Sequence, residues 1–269
     1  MTSSKRPRQE SLYDDDDDFY VPKKISDAQA ESKPVDKKEP ATKENKEASP
    51  VEPATKHTKD VLAVYGARRG ERDDMQDSHL IDTKFELGNL YLERCALFAI
   101  FDGHGGAKAA NYCEEKLRSV LKEKCKEYTE KADFEKKLKK VFTDTYKSID
   151  ESFLKIARTS HPIWKDGTTV TTMLLLDNIL YVANLGDSKA VVARKKPDGT
   201  LSAVCLTVDH NPTSYDERMR IQKTGAVVKD GRVNGIIEVS RSIGDGHFKA
   251  SGVSCVPDMK KLSITENDK

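Results

Sequence analysis

The chain has 269 residues, and its 46 Lys and Arg against 45 Asp and Glu give a net charge of +1. That balance excludes the strong single-sign field of a general nucleic-acid or membrane-surface binder. Five scattered cysteines, an odd number with no CxxC pair, exclude a disulfide framework and a structural zinc site and point to a reducing compartment.

Residues 1–58 are rich in Lys, Glu, Asp, Ser and Pro, with Tyr13, Phe19, Tyr20 and Val21 as their one small apolar cluster. Such a segment buries too little surface to offset its ordering entropy, so a disordered charged tail is predicted there. Lys5-Arg-Pro-Arg8 reads either as a nuclear import signal or as a chance basic run, and Asp14 to Asp18 as a solvated acidic stretch. The chain opens on no apolar leader, and no run approaches the ~18 residues that span a bilayer. The expectation is a soluble intracellular protein.

One domain is predicted over residues 59–269. Leu62–Tyr65, Ser78–Ile81, Leu90–Leu92 and the buried run Cys95–Phe101 read as strands. Two amphipathic helices follow. Ala110, Cys113, Leu117 and Val120/Leu121 mark the first, and Phe134, Leu138, Val141/Phe142, Ile149, Phe153 and Ile156 the second. From Gly167 the period changes to two. Thr168–Leu176, Ile179–Ala183, Ser188–Ala193 and Leu201–Leu206 are predicted strands, joined by turns too short for crossover helices. Tyr215–Thr224 is predicted as a short helix capped by Gly225, before a Gly-rich, polar end. Strands, then helices, then strands imply an α+β layered sandwich.

The chemistry centres on Asp102-Gly103-His104-Gly105-Gly106, a tight turn ending the Cys95–Phe101 strand. A carboxylate, a bare carbonyl and an imidazole there can hold a hard cation and deliver a proton beside it. The same five residues equally suit a Gly-rich turn with an Asp cap and a surface His. They are not a dinucleotide loop, because Lys108 stands where the third glycine belongs.

Taken with its ordered companions, the motif is specific. Arg72-x-x-Met75-Gln76-Asp77, Phe101 to Gly106, Asp166-Gly-Thr-Thr169, Val182 to Ser188, Asp209-His-Asn-Pro212 and Val239 to Asp245 occur in succession. From about Tyr65 to about Pro257 the chain resembles the metal-dependent (type 2C) protein serine/threonine phosphatases. The resemblance implies a four-layer αββα sandwich of two antiparallel sheets flanked by helices, in a monomer of cytoplasm and nucleus. It implies two Mg²⁺ or Mn²⁺ ions and hydrolysis of phosphoserine or phosphothreonine by a hydroxide that they hold. Asp102 matches the metal-bridging acid, Gly103 the carbonyl ligand, His104 the general acid and Arg72 the phosphate clamp. Asp77 matches a carboxylate ordering metal-bound water. Asp187 reads either as an acid near a third metal or as a hairpin-turn aspartate, and Asp245 as structural or metal-proximal. Implied partners are phosphorylated proteins and a kinase or kinase-associated complex, with no nucleic acid and no membrane.

Two departures stand out. Gln76 replaces the family's Glu, which keeps an acceptor but loses a charge, so weaker metal retention is expected. The later Asp-Gly and Asp-Asn metal motifs of the family have no match before Lys269. The reading is therefore a domain incomplete at its C-terminal side, with impaired catalysis. The alternative is a non-catalytic binding module, a truncated pseudo-phosphatase.

Overall fold

The computed structural model describes residues 61–88 and 90–268; the predicted tail with its basic and acidic runs lies outside them. Five strands form the main antiparallel sheet: β1 (Ser78–Asp82), β2 (Cys95–Phe101), β5 (Val170–Leu176), β6 (Ile179–Leu185) and β12 (Asp258–Ser263). They lie side by side in that order.

The sheet is buried on both faces, which is why its strands read as nearly continuous apolar runs. Leu97, Ala99 and Phe101 of β2, Leu174 and Leu176 of β5, and Tyr181 and Ala183 of β6 share one core with two helices. Those helices are α1 (Lys108–Cys125) and α2 (Lys131–Thr159). Ala110, Cys113, Leu117 and Leu121 supply the stripe of α1, and Phe134, Leu138, Phe142, Tyr146 and Ile149 that of α2. The intervening residues Ala96, Leu175, Leu180 and Val182 face the other way. They meet Ala190, Val192, Val204 and Leu206, carried on or beside the hairpin β7 (Val191–Lys195) and β8 (Leu201–Cys205). Helices, main sheet and hairpin thus make three layers of an α+β fold with antiparallel sheets.

A small sheet holds Gly103 and His104. Gly103–His104 (β3), Gly167–Thr168 (β4) and Ile243–Gly244 (β11) pair in the order β11-β4-β3, two residues each. The third helix, α3 (Tyr215–Lys223), and the hairpin β9 (Val228–Lys229) and β10 (Arg232–Val233) enclose a separate cluster of Ile221, Val233, Ile237, Val239 and Val253.

Several predictions from pattern are corrected. Leu62–Tyr65 and Leu90–Leu92 are not strands: Leu62 and Val64 are exposed and find no sheet partner, and Leu90 is buried as an irregular segment. Ile156 is 40% exposed, because Phe153, Leu154 and Ala157 take the inward face at the end of α2. The Thr168–Leu176 strand divides between two sheets at Thr169. The hairpin strand begins at Val191 instead of Ser188, and β12, predicted only as polar chain, pairs along β6 in the main sheet. Among the described residues no helix is long and apolar enough to cross a membrane.

Candidate active site

Strand β2 delivers Asp102 and His104 to one end of the main sheet, where the chain turns sharply. The site forms only because three glycines let backbones approach. A Cβ on Gly103 would lie 2.2 Å from the carbonyl oxygen of Gln76, so the Arg72–Asp77 loop packs directly on the Asp102 turn. Gly106, at φ +132, faces the Asp166 carboxylate at a separation no side chain fits. Asp166 uses that closeness, accepting from the Lys108 N–H at 3.0 Å at the start of α1. The Gln76 amide oxygen accepts from Gly106 N–H at 3.4 Å, tying the same two loops together.

The third glycine, Gly167, lies under an imidazole–carboxylate pair. His104 Nε2 is 2.7 Å from Asp245 Oδ2. Asp245 is almost wholly buried and is fixed in turn: Ser242 Oγ donates to Oδ2 at 2.5 Å, and its own N–H donates to the Asp166 carbonyl at 3.0 Å. The buried Asp150 of α2 steadies this loop from below. It accepts from Gly244 N–H at 2.8 Å and from Lys249 Nζ at 3.0 Å, while Lys249 also donates to the Ser242 carbonyl at 2.8 Å.

Electrostatics join the predicted residues. Burial pushes the Asp102 carboxyl above its ordinary range, and the charges of Asp77 and Asp187 push it further; His104 and Arg72 offset this only in part. At His104 burial disfavours the charged imidazole. The hydrogen bond and charge of Asp245, aided by Asp102 and Asp187, outweigh it, so the proton is held more tightly than usual. Arg72, Asp77, Asp102, His104 and Asp187 are therefore within one electrostatic neighbourhood. Asp102, His104, Asp187 and Asp245 line one cleft of about 590 Å³. Asp187, in the turn that follows β6, is on the wall of that cleft.

A buried carboxylate whose proton affinity is raised by burial and by two neighbouring carboxylate charges is the donor chemistry that a hard divalent cation relieves. In kind the residues fit the ions implied by the resemblance. In number they do not close a site: among the described residues no three His, Cys, Asp or Glu side chains converge closely enough to hold an ion.

A network missed by sequence reading supports the Asp187 side. His210 is 2% exposed, and its Nδ1 accepts from Gly186 N–H at 2.9 Å. Its proton is therefore on Nε2, donated to Asp258 Oδ2 at 3.1 Å. Asp258 continues to Arg241 Nη1 at 2.7 Å, and Arg241 Nη2 to the buried Glu217 at 2.7 Å. His210 thus pins the Gly186–Asp187 turn to β12. The only sequence signal was a lone His in Asp209-His-Asn-Pro212, whose partner is 48 residues away.

The network sets an acid limit. Burial alone would raise the Asp258 carboxyl, but His210 and Arg241 bring it down to about 2, and Glu217 is held far below its usual range by Arg220, Arg241 and Ser240. A carboxyl whose folded value is depressed contributes stability above its unfolded value, near 4, and that contribution is lost as pH falls through the folded value. Urea midpoints should therefore begin to drop near pH 5 and keep dropping to about pH 2. The drop should be shallower in Asp258→Asn; an identical pH slope would count against the network.

Comparison with known proteins agrees with this geometry. Residues 63–269 match the family described as "Protein phosphatase 2C". Integrin-linked kinase-associated serine/threonine phosphatase 2C of Rattus norvegicus is 46% identical over 207 residues, covering 75% of this chain and 53% of the relative. The Homo sapiens protein of that name gives 46% identity and the same coverages, 75% and 53%. The chain spans about half the length of these curated relatives. In fold it is similar to the crystal structure of serine-threonine phosphatase 2C from Toxoplasma gondii, at TM-score 0.59 and 21% identity over 72% of this chain and 75% of that one. A C. elegans sex determining protein also gives TM-score 0.59, at 23% identity, over 74% of this chain and 47% of that one. With the family matched over residues 63–269 and Asp102, His104, Asp187 and Asp245 on one cleft, the chain belongs to the protein phosphatase 2C family.

Proposed function

We propose that this chain is the phosphate-cleaving part of a protein serine/threonine phosphatase that hydrolyses phosphoserine and phosphothreonine in proteins. The observation that carries this reading is the convergence of Asp102, His104, Asp187 and Asp245 on one cleft, with Arg72 and Asp77 in their electrostatic reach. The family is metal-dependent. Asp102, Asp77 and Asp187, with the Gly103 carbonyl, are the residues that would hold Mg²⁺ or Mn²⁺. Bound there, such ions supply charge neutralisation at the phosphate and a more acidic water.

The chain's own residues do the rest. Arg72 carries the planar, permanently charged group suited to clamping a phosphate. Water's oxygen bonds phosphorus as the bond from phosphorus to the seryl or threonyl oxygen breaks, and that leaving oxygen needs a proton. His104 holds one. With Nε2 engaged by Asp245, Nδ1 has no hydrogen-bond partner among the described residues and is the nitrogen left to give its proton up.

Because the described carboxylates do not close a coordination shell, residues 1–269 are expected to bind Mn²⁺ weakly and to turn over slowly. The names of the relatives suggest a kinase-associated setting, which we extend to this chain as part of the proposal. Phosphate release from a phosphothreonine peptide, measured across a Mn²⁺ titration and abolished by chelation, tests it. Phosphopeptide binding with no release at any Mn²⁺ concentration would favour a non-catalytic binding module instead.

A further inference from the structure

The cleft has a second wall that the chemistry does not use. Ile236, Ile237, Val239 and Phe248 line it, interleaved with Arg232, Glu238 and His247. Ile237 and Val239 are buried in the α3 cluster, with Phe248 packed against it. Ile236 is different: it is 62% exposed. A scattered exposed isoleucine needs no explanation, but this one is held rigidly at the mouth of the candidate site. Asn234, at φ +52, donates its N–H to the Val227 carbonyl at 2.7 Å, and its side-chain oxygen accepts from Val227 N–H at 3.1 Å. Val233 N–H donates to the Ile237 carbonyl at 2.9 Å, and Arg232 Nη1 donates to the Ile236 carbonyl itself at 2.9 Å. Arg232 is also paired to Glu238, so the turn that carries Ile236 is closed by an exposed ion pair lining the same cleft.

Lys165 lines the same cleft, is exposed, and forms no ion pair among the described residues. An unpaired cation and a fixed aliphatic group therefore share one opening with His104. Polar walls alone would suffice to hold a bare phosphate ester. A peptide is the occupant that uses both features, its phosphate drawn by the cation and a neighbouring side chain laid on the aliphatic wall.

We infer that the cleft selects phosphopeptides with an apolar side chain next to the phosphorylated residue, seated on Ile236 beside Phe248. The inference rests on the phosphatase reading for the identity of the phosphorylated residue. Its strength is that of one apolar contact at a rigid surface, about tenfold in affinity.

The test uses the full 269-residue chain and fluorescein-labelled phosphothreonine peptides of equal length and charge. Leu or Asn is placed before or after the phosphothreonine, and binding is read by anisotropy. The Leu peptide should bind about tenfold more tightly on at least one side. Ile236→Asp should abolish that preference and Ile236→Leu should retain it; at an exposed position neither change threatens folding. Equal binding of Leu and Asn peptides, or a preference that survives Ile236→Asp, overturns the inference. Mn²⁺-dependent turnover of p-nitrophenyl phosphate by the unaltered chain judges the underlying reading separately. Preference without turnover would sink the phosphatase reading, and turnover without preference would sink the role of Ile236.

Discussion

Gly167→Ala is expected to disarm the site while leaving the main sheet intact. The added Cβ would lie 2.1 Å from Asp245 Oδ2 and 2.4 Å from His104 Nε2, separations that real Cβ atoms do not show. Neither neighbour can yield cheaply. Asp245 is bound by Ser242 and by the Asp166 carbonyl, and His104 is in the backbone ladder opposite Gly167 itself. The imidazole and carboxylate must therefore part, leaving a nearly buried acid without its main partner. A positioned general acid contributes about 10² to 10⁴ in rate, and a loss of that order is expected in Mn²⁺-dependent turnover of a phosphopeptide. Circular dichroism should show retained secondary structure. A variant that keeps its turnover would show that the pair is not part of the reaction.

Glu217→Ala should produce the largest loss of stability away from the core. Glu217 is 4% exposed and accepts from Arg220 at 2.7 Å through both of its oxygens, from Arg241 at 2.7 Å and from Ser240 Oγ. Replacing such an ion pair with matched apolar groups can be neutral, but removing one partner leaves charge buried without compensation. Arg241 is the group stranded here: its side chain is 15% exposed, and only Asp258 and the Val256 carbonyl would remain to it. The expected cost is about 3–5 kcal/mol in urea unfolding. Glu217→Gln, which keeps the acceptor and the volume, should cost less. A change below about 1 kcal/mol for alanine would mean the network contributes little.

Much of this was legible because the informative residues were local. Cys95–Phe101 and the two long helices announce themselves by uninterrupted period, and the structure places them where that period puts them. Short apolar runs misled for a physical reason. Leu62–Tyr65 has strand composition, but pairing is a property of a partner, and none reaches it. The opposite failure is β12, whose Asp258-Met-Lys-Lys-Leu-Ser263 is too charged to read as an alternating core strand yet pairs along β6. The site divides the same way. Asp102 and His104 stand out in one pentapeptide, whereas the bond from His104 to Asp245 spans 141 residues and leaves no local trace. Gln76 also differs from its expected part, since its amide reaches Gly106 and helps to join two loops.

The three-stranded β11-β4-β3 sheet has just two residues per strand, and it draws them from widely spaced stretches of the chain. During synthesis, His104 leaves the ribosome long before Asp245, the acid that holds it. Ile243 belongs to the main core, and only its docking with Gly244 against Gly167–Thr168 brings Asp245 to the imidazole. The meeting of imidazole and acid therefore hangs on a ladder six residues in all.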